Sequence, residues 1–191
     1  MAAASRLMQV HGYQKTSLDD VLRESGVGKG NFYYHFKSKE ELGHAFLGQV
    51  IQAFLERTLE PCFSGESSQP LAQIRCFLDR VVEIQRRSNC VGGCPLGNLA
   101  AELSDVHEGF RTRLAEVFSA WQDRMTQALR AAQQLGHVGP ECEPAHVAQF
   151  LVASLEGAIL MTKLTKDIAV LEQCVGEMKR YLGTFEQGDG A

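Results

Sequence analysis

The sequence predicts an all-α fold, on three observations. Apolar residues recur every three to four positions over long stretches, Ala, Leu, Gln, Glu and Arg are abundant, and aromatic residues make up only 8% of the 191. Strands would bring strict alternation and more β-branched and aromatic side chains. With 45% hydrophobic residues the chain can bury a core without covalent staples. Cys62, Cys76, Cys90, Cys94, Cys142 and Cys174 are scattered and expected mostly reduced and buried.

The first helix carries Leu7 and Val10 and stops at His11-Gly12, where glycine can turn left-handed. Thr16-Ser17 then supplies an N-cap, Asp19 and Asp20 fill the first turn, and Leu18, Val21 and Leu22 form one apolar face of a short helix ending at Ser25. Gly26-Val27-Gly28 breaks it, and a further helix follows with Phe32 and Phe36 four residues apart. Ser38 with Glu41 three residues on is a capping-box pattern that opens a long helix through Leu42, Phe46, Val50 and Phe54. These features set off an N-terminal head, residues 1–45, from a helical body, residues 46–191.

Within the body, Pro61 to Pro70 reads as a loop. Leu71, Ile74, Phe77, Leu78, Val81 and Val82 mark the next helix, interrupted at Val91-Gly92-Gly93, with a short helix from Leu96 to Leu103. Phe110, Leu114, Val117, Phe118, Trp121, Met125 and Leu129 define one long amphipathic helix between Val106 and Leu135, closed by Gly136. Two more run from Ala145 to Leu164 and from Ile168 to Phe185.

The net charge of −4 is unevenly spread. Residues 1–45 carry six basic side chains against five acidic, and the remainder thirteen against eighteen. A nucleic-acid footprint is a local patch, so the head is where it belongs. Phe32 and Phe36 fill inward positions of the third helix, so three consecutive polar-tipped rings at Tyr33, Tyr34 and His35 cannot all face inward. Lys29 and Lys39 can neutralise phosphates, Thr16 and Ser17 place hydroxyls and amides at a helix N-terminus, and Asn31 is suited to reading a base edge.

The run from Thr16 to Leu42, TSLDDVLRESGVGKGNFYYHFKSKEEL, resembles the DNA-binding head of the TetR family. The resemblance implies a three-helix head with a helix-turn-helix, behind it a helical sensor and dimerisation bundle, and repression of transcription until an effector releases the operator. It also implies a homodimer on palindromic double-stranded DNA, with the last two helices of each subunit in a four-helix bundle. Candidate contacts there are Ser154, Ala158, Met161, Val170, Cys174, Met178 and Tyr181, with Phe150 also in reach. The family's ligand cavity maps onto Phe77, Cys94, Leu96, Asn98, Phe118, Trp121, Met125 and Phe150, which would suit a small apolar effector. The alternative is that this stripe is core.

Cys90 to Leu103, CVGGCPLGNLAAEL, looks like a segment of the NemR and AcuR branch of that family. There a cysteine at the Cys94 position starts a helix over the sensor site, and Lys163 resembles the lysine that accompanies it. A thiol among helix N-terminal amides can be activated toward electrophiles or oxidants, and Cys90 could pair with it. The alternative is a buried, inert Cys94.

No nucleophile–base pair, phosphate-binding glycine loop or zinc-type Cys/His spacing occurs, so a regulator rather than an enzyme is expected, without cofactor or metal. No secretory signal is seen, and Phe150 to Met161 is too short an apolar stretch to span a bilayer, which makes the cytoplasm the expected location and a membrane partner unexpected. The competing reading is a dimeric helical small-molecule-binding or redox protein with weak or no DNA binding.

Overall fold

A computed structural model describes residues 1–65 and 69–187. In chain order the helices are α1 (Ala2–His11), α2 (Leu18–Ser25), α3 (Lys29–His35), α4 (Lys39–Phe54), a π-helical turn (Leu55–Leu59), α5 (Glu60–Phe63), α6 (Pro70–Arg87), α7 (Pro95–Leu103), α8 (Glu108–Gln134), α9 (Pro144–Thr165) and α10 (Ile168–Gly183). Among the described residues there is no strand, only an isolated bridge between Val138 and Glu186. The expected all-α class is what is observed.

Two compact units emerge, Met1–Phe54 with Pro95–Ala115, and Leu55–Cys94 with Glu116–Ala191. The first is wider than a head ending at residue 45, because α7 and the start of α8 pack into it.

The boundaries within this first unit follow local chemistry. Gly12 ends α1 at φ 85°. Ser17 caps α2 by accepting the Asp20 N–H at 3.1 Å, while the Asp20 carboxylate accepts the Ser17 N–H at 3.2 Å. The Ser17 hydroxyl and then its N–H, both donating to the Asp20 carboxylate, together with the Arg23 guanidinium hold that carboxyl below its ordinary pKa. Ser38 Oγ accepts the Glu41 N–H at 3.1 Å, but the Glu41 carboxylate reaches back to the N–H of Lys37, at 2.6 Å, instead of closing the box on Ser38. The core is Ala4, Met8, Leu42, Phe46, Leu47 and Phe110. Tyr13 and Phe110 meet at 5.0 Å over Gly43, where a side chain would stand 2.8 Å from Phe110 Cζ.

In the second unit α10 packs against both α9 and α6. Ile74, Phe77, Leu78, Trp121, Met125, Leu151, Leu155 and Leu171 fill its centre. Among the described residues α9 is the helix long and apolar enough to cross a membrane, with a mean hydropathy of 1.4. Its apolarity has a local account: Val147, Ala148, Leu151, Val152, Leu155 and Ile159 form core, whereas Phe150, Leu160, Met161 and Leu164 are exposed on its other side.

Two expectations need correction. The segment from Pro61 to Pro70 is not wholly loop, since α5 occupies Glu60–Phe63; Pro61 sits in the first turn, where its missing N–H costs nothing. Glu66, Ser67 and Ser68 of that expected loop lie outside the described residues. Of the cysteines expected mostly reduced, Cys90, Cys94, Cys142 and Cys174 are free, and Cys62 and Cys76 depart from that, joined in a disulfide between α5 and α6, their Cα atoms 5.7 Å apart.

Candidate DNA interface and effector site

α2 and α3, joined through left-handed Gly26 at φ 67°, form the helix-turn-helix of the first unit. Phe32 is buried, with Phe36 5.7 Å away between ring centres, so the opposite side of α3 faces outward. Asn31, Tyr33, Tyr34 and His35 are all exposed, Tyr34 at 84% and Tyr33 at 55%. The Tyr34 and His35 rings meet edge to face at 4.9 Å.

Other residues expected at this surface are placed differently. Thr16 is buried, its hydroxyl donating to Gly12 O at 2.7 Å, and so it shapes the turn rather than facing outward. Ser17 is exposed, but its hydroxyl is engaged by Asp20 at 2.5 Å. Lys29 pairs with Asp19 at 3.1 Å across an exposed gap. Lys39 is half-buried, 4.5 Å above the Tyr13 ring, and donates to Gln14 O at 3.2 Å. Burial lowers its pKa, partly offset by Glu102.

A residue that sequence patterns did not single out anchors the head. Glu102, in the last turn of α7, accepts the backbone N–H groups of Tyr13 at 3.0 Å and Gln14 at 2.6 Å, and its carbonyl accepts from the Gln14 side chain at 2.9 Å. The turn after α1 is thereby tied to α7. Burial raises the Tyr13 hydroxyl pKa, with Glu40 and Glu102 adding to the effect.

In the second unit, Asn89, Cys90, Gly92 and Gly93 all have positive φ, at 51°, 58°, 89° and 68°. For Asn89 and Cys90 this left-handed backbone costs on the order of 1 kcal/mol each. Surrounding bonds hold it: Cys90 N–H donates to Gln85 O at 2.9 Å, Gln85 Nε2 to Gly93 O at 3.4 Å, and Lys166 Nζ to Cys90 O at 3.2 Å. The Lys163 chain runs beside Gly93, where a side chain would meet its Cδ at 3.0 Å.

Cys94 follows this segment and directly precedes Pro95, the first residue of α7. It is half-buried and hydrogen-bonded to Glu156 of α9. Burial raises the Glu156 pKa, and the Cys94 bond partly offsets that rise. Glu156 Oε1, Gln85 Oε1 and Thr162 Oγ1 are buried without a hydrogen-bond partner. Such orphans invite a polar group from a ligand or water. Periodicity could not single out Glu156 as the partner of Cys94, because the two lie 62 residues apart. Cys90 is buried and, like Cys94, carries a free thiol.

The residues expected to line an effector cavity divide between core and surface. Phe77, Trp121 and Met125 are fully buried, with Phe77 and Phe118 rings 5.3 and 5.8 Å from Trp121. Leu96 is buried and Asn98 half-buried in the first unit. Phe150 is exposed and meets Tyr181 edge to face at 4.9 Å, which puts it on the outer face of α9 and α10. A cavity of about 460 Å³ lies elsewhere in the second unit, between Phe63, Pro70, Gln73, Arg124, Ala128 and Leu135.

Of the residues expected at a subunit interface, Met161 and Tyr181 are exposed and Ser154, Val170 and Cys174 half-buried. Ala158 and Met178 are instead buried within the chain, where they pack in its own core.

Comparison with known proteins places this architecture. Residues 1–46 match the family model described as bacterial regulatory proteins, tetR family, and residues 70–178 the one described as tetracyclin repressor-like, C-terminal domain. An uncharacterised HTH-type transcriptional regulator of Lactococcus lactis is 34% identical over 90% of this chain and 85% of its own length. The transcriptional regulator AcuR of Cereibacter sphaeroides is 33% identical over 80% and 69%. The HTH-type transcriptional repressor NemR of Escherichia coli is 28% identical over 96% and 92%. Among solved structures, a regulatory protein TetR from Rhodobacter sphaeroides superimposes with a TM-score of 0.82 at 31% identity, covering 94% of both chains. Reduced E. coli NemR also gives 0.82, at 27% identity, covering 94% of this chain and 92% of its own.

Proposed function

The chain belongs to the TetR family of bacterial transcriptional regulators, and we propose that it is a cytoplasmic homodimeric repressor that leaves its operator when an effector engages the Cys94 segment. The observation that carries the DNA-binding reading is the outward face of α3, where Asn31, Tyr33, Tyr34 and His35 stand exposed behind a buried Phe32. On this reading α3 enters the major groove, Asn31 contacts a base edge, and the tyrosine hydroxyls, His35, Lys29 and the α2 N-terminus at Ser17 position the phosphates.

The dimer is assigned to the exposed apolar side of α9 and α10. Phe150, Leu160, Met161, Leu164 and Tyr181 form a surface that a soluble chain covers with a second copy.

For the effector, the support is the Cys94–Glu156 bond, the left-handed segment before it, and the unpartnered Glu156 Oε1 and Gln85 Oε1, the latter on the side chain that bonds Gly93 O. An electrophile with a polarised double bond fits this site. The Cys94 sulfur adds to the β-carbon, Glu156 takes the thiol proton, and that proton is returned to the α-carbon, so no further reactant is needed. The adduct cannot keep the S–H bond to Glu156, and the change passes along the chain into α7, whose Glu102 holds the head.

The test is DNA release measured by fluorescence anisotropy with an α,β-unsaturated carbonyl, on wild type and Cys94→Ala. Release in wild type alone supports the reading. Release in both forms, or in neither, removes Cys94 from the mechanism and moves the search to a non-covalent ligand.

The competing reading, a dimeric binding or redox protein with little grip on DNA, draws on one observation. Lys29 and Lys39 are engaged with Asp19, Gln14 and Tyr13, which thins the electrostatic footprint of the head.

A further inference from the structure

Glu40 and His44 stand one turn apart on α4, and His107 ends the connection from α7 to α8, all within the first unit. Glu40 Oε1 lies 3.8 Å from His44 Nε2 and 3.6 Å from His107 Nε2, and the ligand atoms of the three side chains fall within 4.8 Å of one another. Neither imidazole is loose. The His44 ring stacks on Phe110 at 4.3 Å and 19°, and His107 meets the same ring edge-on at 4.8 Å and 79°. His107 is also fixed through its backbone, donating to Leu103 O at 2.9 Å and accepting from Arg111 N–H at 3.0 Å. Both histidines are about three-quarters buried, whereas Glu40 is more than half exposed and free to adjust.

Gly109 supplies an independent sign. A side chain there would stand 3.2 Å from His44 Nε2, so the glycine leaves that ligand nitrogen uncovered. Around a tetrahedral zinc ion neighbouring ligand atoms lie about 3.3 Å apart, so the two edges involving Glu40 close by about 0.3–0.5 Å and the His44–His107 edge, within 4.8 Å, closes by up to about 1.5 Å through small turns of the side chains.

We propose that Glu40, His44 and His107 form a binding site for a borderline transition-metal dication, Zn²⁺ in the first instance. The two Nε2 atoms and one Glu40 oxygen supply three ligands, and water completes the tetrahedron. Two imidazoles with one carboxylate select this class over Mg²⁺ or Ca²⁺, which prefer all-oxygen shells. The ion fastens the first turns of α4 to the start of α8.

One neighbour opposes it. Arg113 Nη1 faces His44 Nδ1 at 3.4 Å while donating to the His44 carbonyl at 2.9 Å. Metal on Nε2 puts the imidazole proton on Nδ1, toward that guanidinium. Arg113 therefore weakens the site, and removing its charge strengthens it.

The experiment is titration of the full-length protein with Zn²⁺ by calorimetry and with Co²⁺ by visible absorption, on wild type, His107→Asn, Glu40→Gln and Arg113→Gln. Far-UV circular dichroism confirms each fold. The expected result is one ion per chain at this site, tetrahedral Co²⁺ bands without thiolate charge transfer, and a rise in thermal midpoint with Zn²⁺. Affinity falls at least about tenfold in the first two variants and rises several-fold in Arg113→Gln. Absence of binding, binding unchanged by His107→Asn in a folded variant, or a thiolate signature that assigns the ion to the cysteines would each overturn it.

Discussion

The carboxylate of Glu102 receives the main-chain N–H of Gln14 at 2.6 Å, joining the last turn of α7 to the turn that follows α1. Its other oxygen takes the N–H of Tyr13. Two charge-assisted bonds to a part-buried turn are worth roughly 2–3 kcal/mol together. Glu102→Ala is expected to destabilise the protein by about that amount and weaken DNA binding beyond the loss of folded fraction. Denaturant unfolding and anisotropy on the same preparation separate the two effects.

Gly43 carries the packing of the same unit. A side chain there would stand 3.1 Å from Tyr13 Cδ2 and 2.8 Å from Phe110 Cζ. Both rings are hemmed in, since Phe110 is fully buried and stacks on His44, and Tyr13 is buried with Lys39 Nζ 4.5 Å above it. Gly43→Ala should therefore cost about 1–3 kcal/mol despite alanine's better helix propensity. A thermal midpoint equal to or above wild type would mean that the rings move aside freely.

Glu156 links stability to pH. Burial raises its folded-state pKa above the unfolded value, so the fold binds the extra proton between the two. The favourable protonated form is retained at low pH and lost as pH rises through the folded pKa, and this group's share of stability falls with it. Glu156→Gln, which keeps a neutral group, should gain thermal midpoint relative to wild type at pH 8 and little at pH 4.5. An equal difference at both pH values would assign the effect to packing.

The disulfide between Cys62 and Cys76 closes a loop of 14 residues in sequence separation, with Cys76 exposed and Cys62 buried. A loop of that size stabilises by about 3 kcal/mol in the chain-entropy model. A thiol reductant should lower the thermal midpoint of wild type and leave Cys62→Ala/Cys76→Ala unmoved. Intact-mass measurement under non-reducing alkylation checks that four, not six, thiols react after unfolding.

The outer face of α9 presents Leu160 at 61% and Leu164 at 74% exposure. Leu160→Glu/Leu164→Glu is expected to convert the homodimer to monomer in analytical ultracentrifugation while preserving helical content. A dimer that survives both charges would place the interface elsewhere.

The helices were readable because their ends carry their own chemistry: Gly12 and Gly26 at positive φ, Ser17 in a reciprocal box with Asp20, Asp167 capping α10 through Ala169 N–H at 2.9 Å. The outward side of α3 was readable by elimination, once Phe32 had claimed the inside. What escaped notice depended on direction or distance. Thr16 precedes a helix like any capping residue, yet its hydroxyl turns back to Gly12 O. Phe150 belongs to a helix apolar on both sides, so period alone could not say whether it faced core or exterior. Pro61 marks a break in most contexts but stands at a helix start here. Pairings such as Cys94 with Glu156, Gln14 with Glu102 and His44 with His107 join residues 60 to 90 positions apart, and a single sequence carries no signal for them.

The central claim, that the exposed face of α3 grips DNA, is tested most directly by anisotropy against DNA from upstream of the protein's own coding region. Salt is varied for wild type, Asn31→Ala and Tyr34→Ala. The account predicts that log affinity falls linearly with log salt, and that each variant binds at least about tenfold more weakly at an unchanged thermal midpoint. Absence of binding at every salt concentration, or variants that bind as wild type does, would contradict it.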